Sequence, residues 1–351
     1  MADLHKVREL GLDEDTTLAI LERLKHISQL YRSGKPLFPR RLLEDLNRQI
    51  DDGKEEVYIS DFDDVPQVYS LKVPSWCTEF ANTYRIRYQS IHSLGCVPPY
   101  DPERVLCKCT PVAIDYVDTS GPGESTLEAI GGAFFKQRQI WLESLGHRNL
   151  EHHLSTLRTT ANIRKIVCFG LGSLGRLSGD CYTRTHTQHA AVETIAASLV
   201  RRGLSGSQEI KCYAQDPVYD EVDHEFLRSI GITPLEDPKG FLEVDEHTLV
   251  FSVSPDVPVK QIVTDLHWPG AMIWDTVTPS EKRKSWAKYK ENDGTIFWIT
   301  PFTTDPDSGR VRRMIKHYAH AQLEDSDGFF GDLTIYMKCK EYAHVSFYTL
   351  D

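Results

Sequence analysis

Apolar residues recur at three- and four-residue intervals from Asp13 to Tyr31, at Leu18, Leu21, Leu24, Ile27 and Tyr31, behind an acidic start that includes Thr16. That spacing predicts a first helix. Pro36 and Pro39 interrupt it, and Leu42, Leu43, Leu46 and Ile50 predict a second amphipathic helix before the turn at Asp51-Asp52-Gly53. The stretch to about Asp118 has a different period. Val57 to Ser60, Val68 to Val73, Thr83 to Ser90 and Val105 to Val117 read as short strands punctuated by prolines. Ser120-Gly121-Pro122-Gly123 is the clearest breaker in the chain and marks the expected boundary.

Beyond it, Ser125 to Leu145 predicts a helix anchored by Leu127, Ile130, Phe134, Ile140 and Trp141, followed by a short one over Asn149 to Leu157. Ile166-Val167-Cys168-Phe169 is an apolar, β-branched and aromatic run, as expected of a strand buried on both faces. Regular alternation follows. Helices are expected over Thr187 to Arg202, Val222 to Ile230 and Val259 to Leu266; strands over Ile210 to Ala214, Ile232 to Leu235, Thr248 to Val253 and Ala271 to Trp274. The tail adds a strand at Ile296 to Thr300, a helix at Val311 to Ala321 and a strand at Leu333 to Met337. This order predicts an α/β, Rossmann-like fold: a mostly parallel sheet with helices on both faces, plus an α+β N-terminal extension. The expected division is an accessory region over 1–120 and the Rossmann-like domain over 124–351.

In such a sheet, ligands bind beyond the carboxyl ends of the strands. Gly170, Leu171, Gly172, Ser173 and Gly175 follow the central strand with the spacing G-x-G-x-x-G, where glycine permits positive φ and close approach to the backbone. Asp216 ends the second strand, Ser254 a later one and Asp275 the next. A carboxylate at 216 is placed either to accept from the ribose hydroxyls of an adenosine-containing ligand or simply to turn the chain and cap the next helix. The loop departs from the dinucleotide fingerprint. Arg176 to His186 is polar and delays the helix, and Asp216 follows Gly175 by 41 residues where about 20 are expected. A wider nucleotide or adenosyl pocket fits better than an NAD loop. A phosphate-binding P-loop fails, because Arg176 and Leu177 stand where Lys and Ser or Thr are needed.

Charge narrows the partners. The 351 residues carry 51 acidic and 40 basic side chains, a net charge of -11, which argues against broad binding to a nucleic-acid backbone. The N-terminal MADLHKVREL is charged where a signal peptide needs an apolar core, and no window is apolar enough to span a membrane. Eight scattered cysteines fit a reducing compartment, cytosol or nucleus. His186, His189 and Glu193 share a helical face, and His92, Cys96, Cys107 and Cys109 are four zinc-capable groups. Local hydrogen bonding and burial account for both sets more economically than a metal.

Several runs together resemble one family, the Sensitivity to Red Light Reduced domain, especially its fungal branch. They are KIVCFGLGSLGRLS (Lys165 to Ser178), QHAAVETIAASL (Gln188 to Leu199), the segment from Tyr213-Ala214-Gln215-Asp216-Pro217 to Gly231, TLVFSVSPDVPVKQI (Thr248 to Ile262) and MIWDTV (Met272 to Val277). The likeness spans roughly Trp141 to Val277. It implies a role in light signalling, circadian regulation or, as in fungal relatives, cytoskeletal stress responses, and it transfers no catalytic residue. Three functions follow as expectations: a nucleotide- or adenosyl-sensing regulator; a methyltransferase-like or nicotinamide-dependent enzyme using Asp216 for ribose, with Asp275 or His189 nearer the chemistry; or a scaffold that meets protein partners through its N-terminal region.

Overall fold

The computed structural model describes residues 10–107, 109–119, 125–177, 181–203, 209–279, 285–291 and 293–339. The expected breaker at 120–123 lies outside them. The chain divides into two compact units, Met1–Val117 with Asp256–Asp265 and Thr278–Ser308, and Asp118–Pro255 with Leu266–Val277 and Gly309–Asp351.

The first unit opens with α1 (Glu14–Arg32), started by Asp13, whose carboxylate accepts from Thr16 N–H at 2.8 Å. α1 buries Ile20, Leu24 and Ile27, and α2 (Arg40–Asp51) buries Leu43 and Leu46. Two antiparallel pairs follow, β1 (Glu56–Ser60) with β2 (Pro66–Ser70) and β3 (Thr83–Tyr88) with β4 (Val112–Val117). The strand expected from Val105 is shorter than its apolar run, because Pro102–Leu106 winds into a 3-10 turn. Two later segments complete this unit. The helix Val259–Leu266 places Gln261, which accepts from Ile91 N–H at 3.0 Å, and Asp265, which accepts from Leu37 N–H at 2.6 Å. Lys260 is buried and pairs with Asp307 at 2.6 Å. Ile296–Ile299, expected as a strand, pairs with Ala287–Lys290 in a hairpin separate from the main sheet.

The second unit is the α/β sheet. In chain order it contains α3 (Leu127–Glu143), α4 (Leu145–Thr156), β5 (Lys165–Phe169), α5 (Cys181–Arg201), β6 (Lys211–Gln215), α6 (Glu221–Ser229), β7 (Ile232–Pro234), β8 (Thr248–Ser252), β9 (Ala271–Asp275), α7 (Gly309–Ile315), β10 (Tyr318–Gln322) and β11 (Leu333–Lys338). The strands lie in the order β10-β11-β9-β8-β5-β6-β7. β9, β8, β5, β6 and β7 are parallel, with Phe169 opposite both Gln215 and Ser252. β11 and β10 add antiparallel pairs at one edge.

The mostly parallel sheet expected from the alternation is therefore present, and β5 sits where the strand order reverses between β6 and β8. One sheet face, carrying Ile166, Cys168, Leu249, Phe251 and Ile273, packs on Phe134 and Trp141 of α3, Leu150 of α4 and Ile195 of α5. On the other face Phe169 stacks on Phe241 of a short helix, with ring centroids 4.5 Å apart.

Two expected boundaries are corrected. α5 starts at Cys181, six residues before Thr187. The helix expected over Val311 to Ala321 stops at Ile315. Tyr318–Gln322 then pairs with β11, and the buried Tyr318 hydroxyl donates to Pro269 O at 2.7 Å.

Candidate functional site

β5 delivers the chain into the glycine loop at the carboxyl edge of the sheet. Gly170 and Gly172 both have positive φ, +72° and +78°. A Cβ at Gly170 would lie 2.9 Å from Pro255 Cα, and one at Gly172 would lie 3.0 Å from Thr185 Oγ1. The Ser254-Pro255 turn after β8 thus packs directly on the start of the loop, with Ser254 itself at φ +45°. Leu171 and Ser173 are buried. Gly175 has no positive φ, and a Cβ there would make only ordinary contacts.

The loop amides face carboxylates of the protein itself. Gly172 N–H donates to Asp216 Oδ2 at 2.8 Å, while Asp216 Oδ1 accepts from Val218 N–H at 3.1 Å. Asp216 therefore turns the chain after β6 and also reaches the loop. Leu174 N–H and Gly175 N–H both donate to Asp223 Oδ1, at 2.8 and 2.9 Å. Asp223 is fully buried at the start of α6, where it forms a reciprocal capping box with Asp220. Burial raises its pKa against the opposing pull of Ser173 and the backbone donors.

Two histidines from α5 close the same region. His186 donates from Nε2 to Leu174 O at 2.9 Å. His189 bonds Thr185 O through Nδ1 at 2.8 Å and the Tyr219 hydroxyl through Nε2 at 2.9 Å. The carbonyl can only accept, so Nδ1 carries the proton and Nε2 accepts from Tyr219. Burial holds His189 neutral, with its pKa lowered to about 4, and pushes the Tyr219 phenol well above its ordinary range.

Of the residues singled out in the sequence, the structure joins Gly172 to Asp216, and Gly170 to the turn that holds Ser254. Asp275 is half-buried at the end of β9, two strands from β5. Asp223 and Tyr219 escaped sequence reasoning. The D-x-x-D spacing of Asp220 and Asp223 was a legible capping signal, but nothing local shows that Asp223 also reaches the loop. In the first unit, the Trp286 indole N–H donates to Cys96 Sγ at 3.1 Å, while Cys109 is buried and Cys107 exposed. Among the described residues no group of three or more His, Cys, Asp or Glu is arranged to hold a metal, and no helix is long and apolar enough to cross a membrane.

The segment recognised by a family model runs through the α/β unit and takes in the two later segments, 256–265 and 278–308, that belong to the first unit. The SRR1 domain model matches residues 143–337, more than half of the chain. The chain belongs to the SRR1 domain family. No curated protein and no solved structure matches it. The SRR1 match begins in the last residue of α3, takes in β5 with its glycine loop, Asp216 and Asp223, and ends within β11.

Proposed function

We propose that this SRR1-domain protein, of the family's fungal branch, is an intracellular regulator whose strand-end loop and Asp216 receive the ribose of a nucleotide- or adenosyl-type ligand. The observation that carries this reading is the 2.8 Å hydrogen bond from Gly172 N–H to Asp216 Oδ2. It sets the bare glycine backbone and the carboxylate side by side at the carboxyl edge of a parallel sheet, beside the reversal of strand order where such ligands bind. Free thiols, Cys168 and Cys212 among them, support an intracellular setting. Regulation is favoured over turnover because His189 and Tyr219 are paired with each other and held neutral, which leaves no poised acid–base couple there.

Thermal-shift measurements on the full chain with adenosine, AMP, S-adenosylmethionine and NAD test the proposal. A ligand at a hundred times its Kd stabilises by about 2.7 kcal/mol, and Asp216→Ala should remove that shift. No shift with any of the four in a folded sample, or an equal shift in the variant, rejects it.

One observation favours a second reading, a protein-interaction scaffold: the amides of Gly172, Leu174 and Gly175 are already satisfied by the protein's own carboxylates. The first unit exposes Trp76 and Phe80 at 75% and 72%, side chains that partners use as anchors. Absence of every ligand shift, together with loss of a crosslinked partner in Trp76→Ser or Phe80→Ser, would favour the scaffold.

A further inference from the structure

The hairpin of Ala287–Lys290 and Ile296–Ile299 in the first unit leaves most of its surface to solvent. Trp298 is half-buried and the other residues of both strands are exposed. Strand alternation sorts them onto two faces. On one face Ala287 pairs with Ile299 and Tyr289 with Phe297, the two rings lying 4.8 Å apart. On the other Lys288 pairs with Trp298 and Lys290 with Ile296, and the Lys288 ammonium sits 5.7 Å from the centre of the Trp298 ring. The apolar face is uncovered: Tyr289, Phe297 and Ile299 are 51%, 40% and 50% exposed. The base of the hairpin is fixed. The Trp286 indole donates to Cys96 Sγ at 3.1 Å, and its ring meets Tyr100 edge-on.

Two strands alone make a marginal sheet in water. Among the described residues neither outer edge of this pair is joined to another strand. Such an edge accepts an added strand, whose alternate side chains then fall on the two faces. Lysines can also guard an edge against unwanted pairing, but a guard does not call for an exposed apolar face behind it.

Charge selects the added strand. The protein carries a net charge of -11, yet the two strands hold Lys288 and Lys290 and no carboxylate. Among the described residues Lys290 makes no ion pair or hydrogen bond. Spaced two apart, both lysines present their charge on one face. A second copy of Ala287–Lys290 laid along this edge would set lysine beside lysine, which is unfavourable; an acidic strand reverses that sign. We propose that the Ala287–Lys290 edge receives an extended segment of a partner protein in which acidic and apolar residues alternate. Its acids would meet Lys288 and Lys290, and its apolar side chains would extend the face of Tyr289 and Phe297. The inference needs neither Asp216 nor Trp76 and Phe80, and stands apart from both readings above.

Fluorescence anisotropy of the full chain with three labelled peptides tests it: alternating glutamate and valine, alternating lysine and valine, and glutamates and valines in two blocks. Only the alternating acidic peptide is expected to bind, in the micromolar range. Lys288→Glu combined with Lys290→Glu should weaken it by about tenfold or more and admit the alternating lysine peptide instead. Urea melting reports the folding of each variant; should the double variant fold poorly, Lys290→Glu alone decides, with a loss of roughly threefold expected. No binding at millimolar concentration, equal binding of the block peptide, or unchanged acidic-peptide affinity in the folded variants overturns the proposal. Binding to phosphatidylserine vesicles with none to the peptides also overturns it, making the hairpin a lipid contact. So does dimerisation in sedimentation that excludes the acidic peptide, which would give the edge to a second copy.

Discussion

Shielded from water, the Asp223 carboxylate accepts N–H groups from Leu174, Gly175 and Asp220, so its removal takes the acceptor from the buried Leu174 amide and leaves Gly175 N–H only the Ser173 hydroxyl. Asp223→Ala should lower stability by roughly 3 kcal/mol or more, read as a fall in the urea midpoint, with Asp223→Asn milder because one acceptor oxygen remains. An unchanged midpoint in the alanine variant would mean the loop is held by something else. The glycines separate in the same assay. Gly170→Ala combines positive φ with a 2.9 Å approach to Pro255 Cα and should cost at least about 2 kcal/mol; Gly175→Ala, with neither, should be near neutral. In the sequence these glycines look equivalent, because spacing carries no φ and no neighbour. His189 gives a pH signature. Its folded pKa of about 4 lies below the unfolded 6.5, so the stability it contributes is complete above 6.5 and lost as pH falls toward 4, by up to about 3 kcal/mol. Asp223 has the opposite sign: its pKa is raised, so its protonation in acid is favourable to the fold. Denaturant midpoints measured across this window should fall on acidification, and less steeply in His189→Gln. A flat profile in the parent chain would contradict the buried neutral imidazole.

Among the elements, the parallel strands were the easiest to read. β5, β8 and β9 are buried on both faces and so appear as unbroken apolar runs. The tail was harder, since Val311, Met314, Tyr318 and Ala321 fit a helical stripe as well as they fit a helix followed by a strand. The alternating exposure of Tyr318 to Gln322 becomes decisive only once β11 is beside it. Likewise the sequence placed Asp216 at a strand end, while its contact with a glycine 44 residues earlier depends on β5 and β6 lying in register. α6 offers a local test. Asp220→Ala removes the side chain that accepts from Asp223 N–H at 2.8 Å and should cost about 1 kcal/mol, measurable by chemical denaturation. A neutral result would show that Asp223 keeps its place without the capping box.

For the molecule as a whole, the units are not consecutive stretches of chain. Residues 256–265 and 278–308 belong with 1–117, where Gln261 and Asp265 accept the amides of Ile91 and Leu37. A chain beginning at residue 124 would lack those partners. It should expose apolar surface, detected as dye binding and a broadened unfolding transition; a compact, sharply melting fragment would contradict this. The interleaving also bears on how the protein comes off the ribosome. The first unit cannot be completed when its own N-terminal stretch is finished, because its last strands are encoded about 180 residues later, roughly ten to forty seconds of translation. Throughout that interval the amides of Leu37 and Ile91 wait for acceptors that only the later helix supplies, a period in which chaperones have the most to protect.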